Sequence, residues 1–249
     1  MWEVCIAFNN KQEAFAFKDA IYNTIKEYNG VITILYSSTF FKVLIAVSNK
    51  YSNKLKSFLS EKIAENILLN YKKNFILSRL NFFVTSNTNM QVFLKALVVF
   101  DSDTDKEIIV QRLNFNNNLV VKSFVDFKLQ FLKRKWLELV DLANDNAMYL
   151  VSDDTFNELI KFVISNLEYR YYTVNVFSKK DCYMICDTKG EFVSDFLVDK
   201  NIVYDDNNLL TTLIALNPEK IIMHCDNNVK DKTINKLFLY FSNRLEICK

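Results

Sequence analysis

Two glycines, one proline and one histidine are all that this 249-residue chain has of three residue types on which many active sites depend. Average usage would supply roughly 17 glycines and 12 prolines. A phosphate-cradling loop or a dinucleotide fingerprint needs two or three glycines within a few residues. Gly30 and Gly190 stand too far apart to build either. With His224 as the lone imidazole, a two-histidine zinc site and a helical His-x-x-x-His pair are both excluded. Long apolar runs are missing too. The best, such as Ala96–Phe100, fall far short of the roughly 18–20 residues that span a bilayer. Met1-Trp2-Glu3-Val4-Cys5 has no basic segment ahead of an apolar one, so it reads as a first strand, and a cytoplasmic location is expected. An excess of one charge is also absent. With 31 basic and 29 acidic residues the net charge is +2, which signals neither nucleic acid nor an anionic membrane.

What is present is apolar and aromatic. Half of the residues are hydrophobic, with 22 Phe and 12 Tyr, enough to offset the entropy of ordering a core. Cys5, Cys182, Cys186, Cys225 and Cys248 are odd in number and irregular in spacing, so they read as reduced thiols. The periodicity predicts an α+β fold in three stretches. Residues 1–70 form a β-α-β-β-α unit: a strand over 2–8, a helix over 11–28, strands over 31–36 and 41–47, and a helix over about 51–70. Gly30 is expected just past the end of the first helix. Residues 71–170 are mainly helical. One long helix is expected over 123–147, striped by Val125, Leu129, Leu132, Trp136, Val140, Ala143 and Ala147, and another beginning near Ser152 to Thr155, with Thr155 and Glu158 matching a capping box. Residues 171–249 form an α/β unit. It holds a hairpin turning at Lys179-Lys180-Asp181, a helix over 206–216 stopped at Asn217-Pro218, and a βαβ crossover with parallel strands over 220–225 and 244–248.

Few residues invite chemistry. His224 falls near the carboxyl end of a predicted buried strand, where open parallel sheets bind ligands. It has no nucleophile motif to serve, and a ring satisfied at a strand end is the commoner role for such a residue. No cofactor is implied. The carboxyl-terminal cysteines suggest zinc, but Cys182 and Cys186 on one strand would lie about 13 Å apart, and His224 and Cys225 would face opposite ways. No metal is expected. Asp101-Ser102-Asp103-Thr104-Asp105 opens like a calcium loop, yet Lys106 replaces the required glycine and Arg112 the bidentate glutamate, so it reads as a solvated acidic turn. Asp153-Asp154 and Asp205-Asp206 sit where carboxylates suit helix starts. Lys133-Arg134-Lys135 spreads its charge round a helix and Lys179-Lys180 tips a hairpin; both read as solvated.

From the middle of the chain onward the sequence resembles the YtxC-like family of proteins associated with sporulation in endospore-forming bacteria. The resembling segments are FVDFKLQFL at 124–132, LVDLANDNAMYL at 139–150, FNELIKFVISNL at 156–167, LLTTLIALNPEKIIMHC at 209–225 and NRLEIC at 243–248. Asp141, Pro218 and His224 are the polar markers within them. The resemblance implies a physiological setting and no reaction, so no catalytic residue carries over. The reading favoured is a non-enzymatic protein-binding or scaffold role in endospore formation. It needs an exposed apolar or aromatic patch, and a homo-oligomer would suit it. One rival is an enzyme using His224 with a carboxylate in a cleft at the strand ends. Another is a nucleic-acid-binding developmental regulator, which needs a contiguous basic face.

Overall fold

The fold is α+β, with two mixed four-stranded sheets. The computed structural model describes residues 1–81, 87–115, 118–147, 153–179, 182–198, 203–224 and 231–248. The chain divides into two compact units, each assembled from non-consecutive stretches: Met1–Phe75 with Ser102–Leu137, and Ile76–Asp101 with Glu138–Lys249. The helical stretch 71–170 is thus shared between them.

In the first unit, strand β1 (Trp2–Phe8) leads to helix α1 (Lys11–Glu27), then to the hairpin β2 (Val31–Ser37) and β3 (Phe40–Val47). Asn10 starts α1 by accepting hydrogen bonds from the Gln12 and Glu13 amides, satisfying donors that the first turn leaves open. Ala14, Phe17, Ile21 and Ile25 fall on one face and are buried, as the spacing predicts. The left-handed residue that ends the helix is Asn29, at φ 52°, not Gly30. Gly30 is needed for room: a Cβ there would meet Val47 Cγ1 at 2.6 Å and Ile25 Cγ2 at 2.9 Å. Helix α2 (Ser52–Asn66) runs into a π-helical turn over Ile67–Lys72 and then α3 (Lys73–Leu77). Further on come α5 (Ser102–Arg112), β4 (Asn118–Val120), α6 (Val121–Lys128) and α7 (Gln130–Ala147), after α4 (Asn87–Val99), which belongs to the second unit. The long helix expected over 123–147 is broken at Leu129, whose φ of −109° and ψ of 25° leave the helical region. Leu129 is buried, so the apolar stripe continues across the break and hides it from any periodicity. The sheet order is β2-β3-β1-β4, with β4 parallel to β1 and the other pairs antiparallel.

The second unit packs α4, α8 (Asp153–Ser165), α9 (Asp206–Leu216) and α10 (Asp231–Phe241) on the sheet β6-β5-β7-β8. Its strands are β5 (Tyr171–Lys179), β6 (Cys182–Cys186), β7 (Pro218–His224) and β8 (Leu245–Cys248). The hairpin β5–β6 is antiparallel, and β7 and β8 are parallel neighbours joined through α10, as the crossover reading requires. Helix α8 begins at Asp153, within the expected start, so Thr155 lies inside it and is not its cap. Asp205 does cap α9, its Oδ1 accepting from the Asn208 amide at 2.8 Å. The Asn217-Pro218 stop holds more than a helix end. Asn217 sits at φ 34° and is fully buried. Its Nδ2 donates to the Leu167 and Glu168 carbonyls at 3.0 and 2.9 Å, and its Oδ1 accepts from Arg244 Nη1 at 2.7 Å.

Candidate functional site

His224 ends β7, next to residues 225–230, which are outside the described residues. Its ring stacks on Phe177 of the parallel neighbour β5, with centroids 4.5 Å apart and planes at 8°. Its Nε2 lies 3.0 Å from Asn175 Oδ1. The partner is an amide, which orients an imidazole but does not share its charge as a carboxylate would. Cys182 and Cys186 share β6, Cys248 pairs across β8 with His224, and Cys225 is outside the described residues. Among the described residues no three potential ligands gather to hold a metal ion. Burial pushes the Cys5 and Cys186 thiols up, Cys186 with help from the nearby Asp187 charge, so both stay protonated and poorly nucleophilic.

The acidic stretch before α5 departs most from its reading as a solvated turn. Asp101 is indeed the turn, at φ 54°. Asp105, however, lies within α5 and is fully buried. Its Oδ2 accepts from Lys72 Nζ at 2.8 Å and from the Trp136 indole at 2.8 Å, while Lys135 Nζ approaches Oδ1 at 3.5 Å. Lys72 is equally buried. Lys72 continues the i,i+4 line of Ser60, Ala64 and Leu68, all buried, so it extends a helix face that is already turned inward and ends it in the π-helical turn. Lys133 reaches Asp126 at 3.1 Å, so two members of the Lys133-Arg134-Lys135 cluster serve ion pairs with different carboxylates. The side chains of Lys179 and Lys180 lie outside the described residues.

Beside this pair, Glu13 of α1 meets Asn66 and Tyr71 at the π-helical turn. Burial pushes its carboxyl up to about 7, against the hydrogen bonds from Asn66 and Tyr71, which favour the anion. The Tyr71 phenol is raised as well, first by burial and then by the Glu13 and Asp126 charges. A carboxyl raised above its unfolded value of 4.5 stabilises the fold fully below that pH, and the contribution is lost as pH rises through about 7. Glu13→Gln keeps the shape and removes the titration. Thermal melts from pH 5 to 8 should then show the wild type losing stability, on the order of 1–3 kcal/mol, that the variant retains. An identical decline in both proteins would refute this role of Glu13.

These groups are buried and pair mainly with one another, although Glu13 Oε1, Asn66 Oδ1 and Asp105 Oδ1 accept no hydrogen bond among the described residues. The accessible feature of the first unit is its sheet. Alternation puts Val4, Ile6, Phe8, Val43, Ile45 and Val47 inward and buried. Cys5, Val31, Thr33, Leu35, Leu44 and Ala46 are left on the opposite face. A cleft of about 620 Å³ runs over that face, bordered by Met1, Glu3, Cys5, Val31, Thr33 and Asn118. The edge strand β2, VITILYS, carries no charge and no proline; Val31 is 64% exposed, Leu35 53% and Tyr36 68%. The other sheet edges are short or covered. β4 has three residues and β8 four, and β6 is bridged by Tyr204, whose amide and carbonyl both pair with Tyr183. Sequence reading passed over β2 because edge or centre is a property of the assembled sheet; its lack of charge was the available signal.

A family model of the YtxC-like family matches residues 53–246. No curated protein and no solved structure matches the chain.

Proposed function

The chain belongs to the YtxC-like family, and from that premise we propose that it is a non-enzymatic partner-binding protein of endospore formation, working in the cytoplasm. The partner docks on the first unit by adding an extended segment to β2. The observation that carries this reading is the exposed, uncharged β2 edge, which pairs with no further strand among the described residues, beside a sheet face where Val31, Leu35, Leu44 and Ala46 lie with Glu3 and Lys42. Soluble proteins usually blunt such an edge with a lysine, a proline or a bulge, because its unpaired amides and carbonyls recruit another strand. A partner strand finds main-chain hydrogen bonds along β2 and exposed apolar side chains at Val31 and Leu35. The burial of the Lys72–Asp105 pair, and the amide partner of His224, favour binding over turnover.

Leu35→Lys and Tyr36→Lys place charges on that edge at exposed positions, where folding is little affected. Cross-linking and affinity capture from sporulating cells should recover a specific partner with the wild-type protein and lose it, tenfold or more, with the double variant. Equal recovery with both proteins overturns the proposal.

A further inference from the structure

The near-neutral net charge of the chain conceals a division. The first unit holds 17 Lys and Arg against 10 Asp and Glu, a net +7, and the second holds 14 against 19, a net −5. The excess on the first unit is organised along α1. Lys11, Phe15, Lys18, Tyr22 and Lys26 recur at spacings of three and four, which is one stripe of a helix. Lys11 Nζ lies 5.8 Å from the centre of the Phe15 ring, and Lys18 and Lys26 lie 5.9 and 5.6 Å from that of Tyr22. Those distances are near the outer limit of cation–π contact, so each ring is flanked without being covered. Phe15 is 42% exposed and Tyr22 41%. Away from the stripe, at the end of α1, Tyr28 packs on Tyr51 at 5.0 Å, and Lys50 stands 4.5 Å over Tyr51. Glu13 points inward and Glu27 stands about 100° round the helix from Lys26, off the stripe, while the exposed Asp19, four residues after Phe15, is the one acid at its border.

We propose that the first unit binds single-stranded nucleic acid along α1, without regard to sequence. Alternating ammonium groups and partly open rings match a strand that presents phosphates and unstacked bases in turn. A duplex hides its bases and would use the lysines alone. An anionic membrane is the weaker match, because the apolar face of α1 (Ala14, Phe17, Ile21 and Ile25) is buried in the unit and cannot enter lipid. The inference is independent of the docking edge on β2, since every residue of the stripe lies on α1.

The test is fluorescence anisotropy of the full chain with a fluorescein-labelled oligo-dT of 20 nucleotides, titrated between 50 and 300 mM NaCl. Wild-type protein should bind in the micromolar range at low salt and weaken steadily as salt rises. The triple variant K11E/K18E/K26E should lose at least tenfold in affinity and flatten the log–log salt slope by about two, as expected for three lost phosphate contacts. F15A/Y22A should lose about tenfold while keeping the wild-type slope, which separates stacking from charge. The β2 double variant should bind as the wild type does. Circular dichroism establishes that each variant is folded. The proposal is overturned by no binding at 50 mM NaCl, by unchanged affinity in both stripe variants, or by equal or tighter binding to duplex DNA or phosphatidylserine vesicles.

Discussion

Replacing Asp105 by alanine is expected to destabilise the first unit by about 3–5 kcal/mol. The loss arises less from the bond removed than from what stays behind. Lys72 is 1% exposed, its ammonium held by Asp105 Oδ2 at 2.8 Å, and without the carboxylate a cation is stranded in the interior. The Trp136 indole loses its acceptor in the same step. Asp105→Asn restores an acceptor for the indole but not the countercharge, so it should recover only a minor part. The double variant Lys72→Met with Asp105→Leu removes both charges and should return to within about 1–2 kcal/mol of the wild type, since burying an ion pair is itself expensive. Urea unfolding read through tryptophan fluorescence measures this. The chain has two tryptophans, so a Trp2→Phe background isolates the signal of Trp136. A single alanine variant as stable as the wild type would show that the pair is not held as described.

Asn217→Ala is expected to destabilise the second unit by about 2–4 kcal/mol. One side chain there satisfies two buried carbonyls, at Leu167 and Glu168, and the guanidinium of Arg244. Burial lowers the Arg244 pKa, a sign that its charge is poorly solvated and depends on its partners. Asn217 also accepts a φ of 34°, which an alanine tolerates badly. Asn217→Gly separates the two effects. Glycine takes the backbone angle freely, so if the hydrogen bonds dominate it should remain destabilised by about 2 kcal/mol in the same unfolding measurement. A glycine variant equal to the wild type would assign the whole effect to the backbone.

The two positions differ in how far sequence could reach them. Asn217-Pro218 is legible as a helix stop because proline forbids the helical conformation before it, and that is a local rule. The network that makes Asn217 indispensable joins it to residues 27 and 49–50 positions away, and no local rule reports such distances. Asp105 read as part of a solvated turn because its neighbours Asp101 and Asp103 are turn-like and acidic. Its partners lie 33 and 31 positions away, again beyond the reach of any local rule. The break at Leu129 was hidden for a related reason: a buried residue on the apolar stripe fits a straight helix and a bent one equally well.

The charged stripe on α1 was visible in the spacing of Lys11, Phe15, Lys18, Tyr22 and Lys26, but the whole-chain balance of +2 masked it. Net charge averages over units that the sequence does not delimit. Once the first unit is seen to draw on both Met1–Phe75 and Ser102–Leu137, its surplus of seven positive charges emerges. His224 illustrates the converse. Its place at the end of a strand was foreseen from apolar alternation, and only the parallel register with β5 supplied Asn175 and Phe177 as its neighbours.

By itself, the sequence determined the α+β class, the order of strands and helices over residues 1–70 and 171–249 but not the short β4 between them, the parallel crossover near the carboxyl end, and the scarcity of glycine and histidine that excludes phosphate loops and two-histidine zinc. These depend on period, chain direction and residue count, which are local or additive. The tertiary structure alone decided which strand became an exposed edge, which acid was buried on which lysine, and how charge divided between the units. Those outcomes depend on pairings across tens of residues, where burial and Coulomb energies are set by neighbours in space and not in sequence.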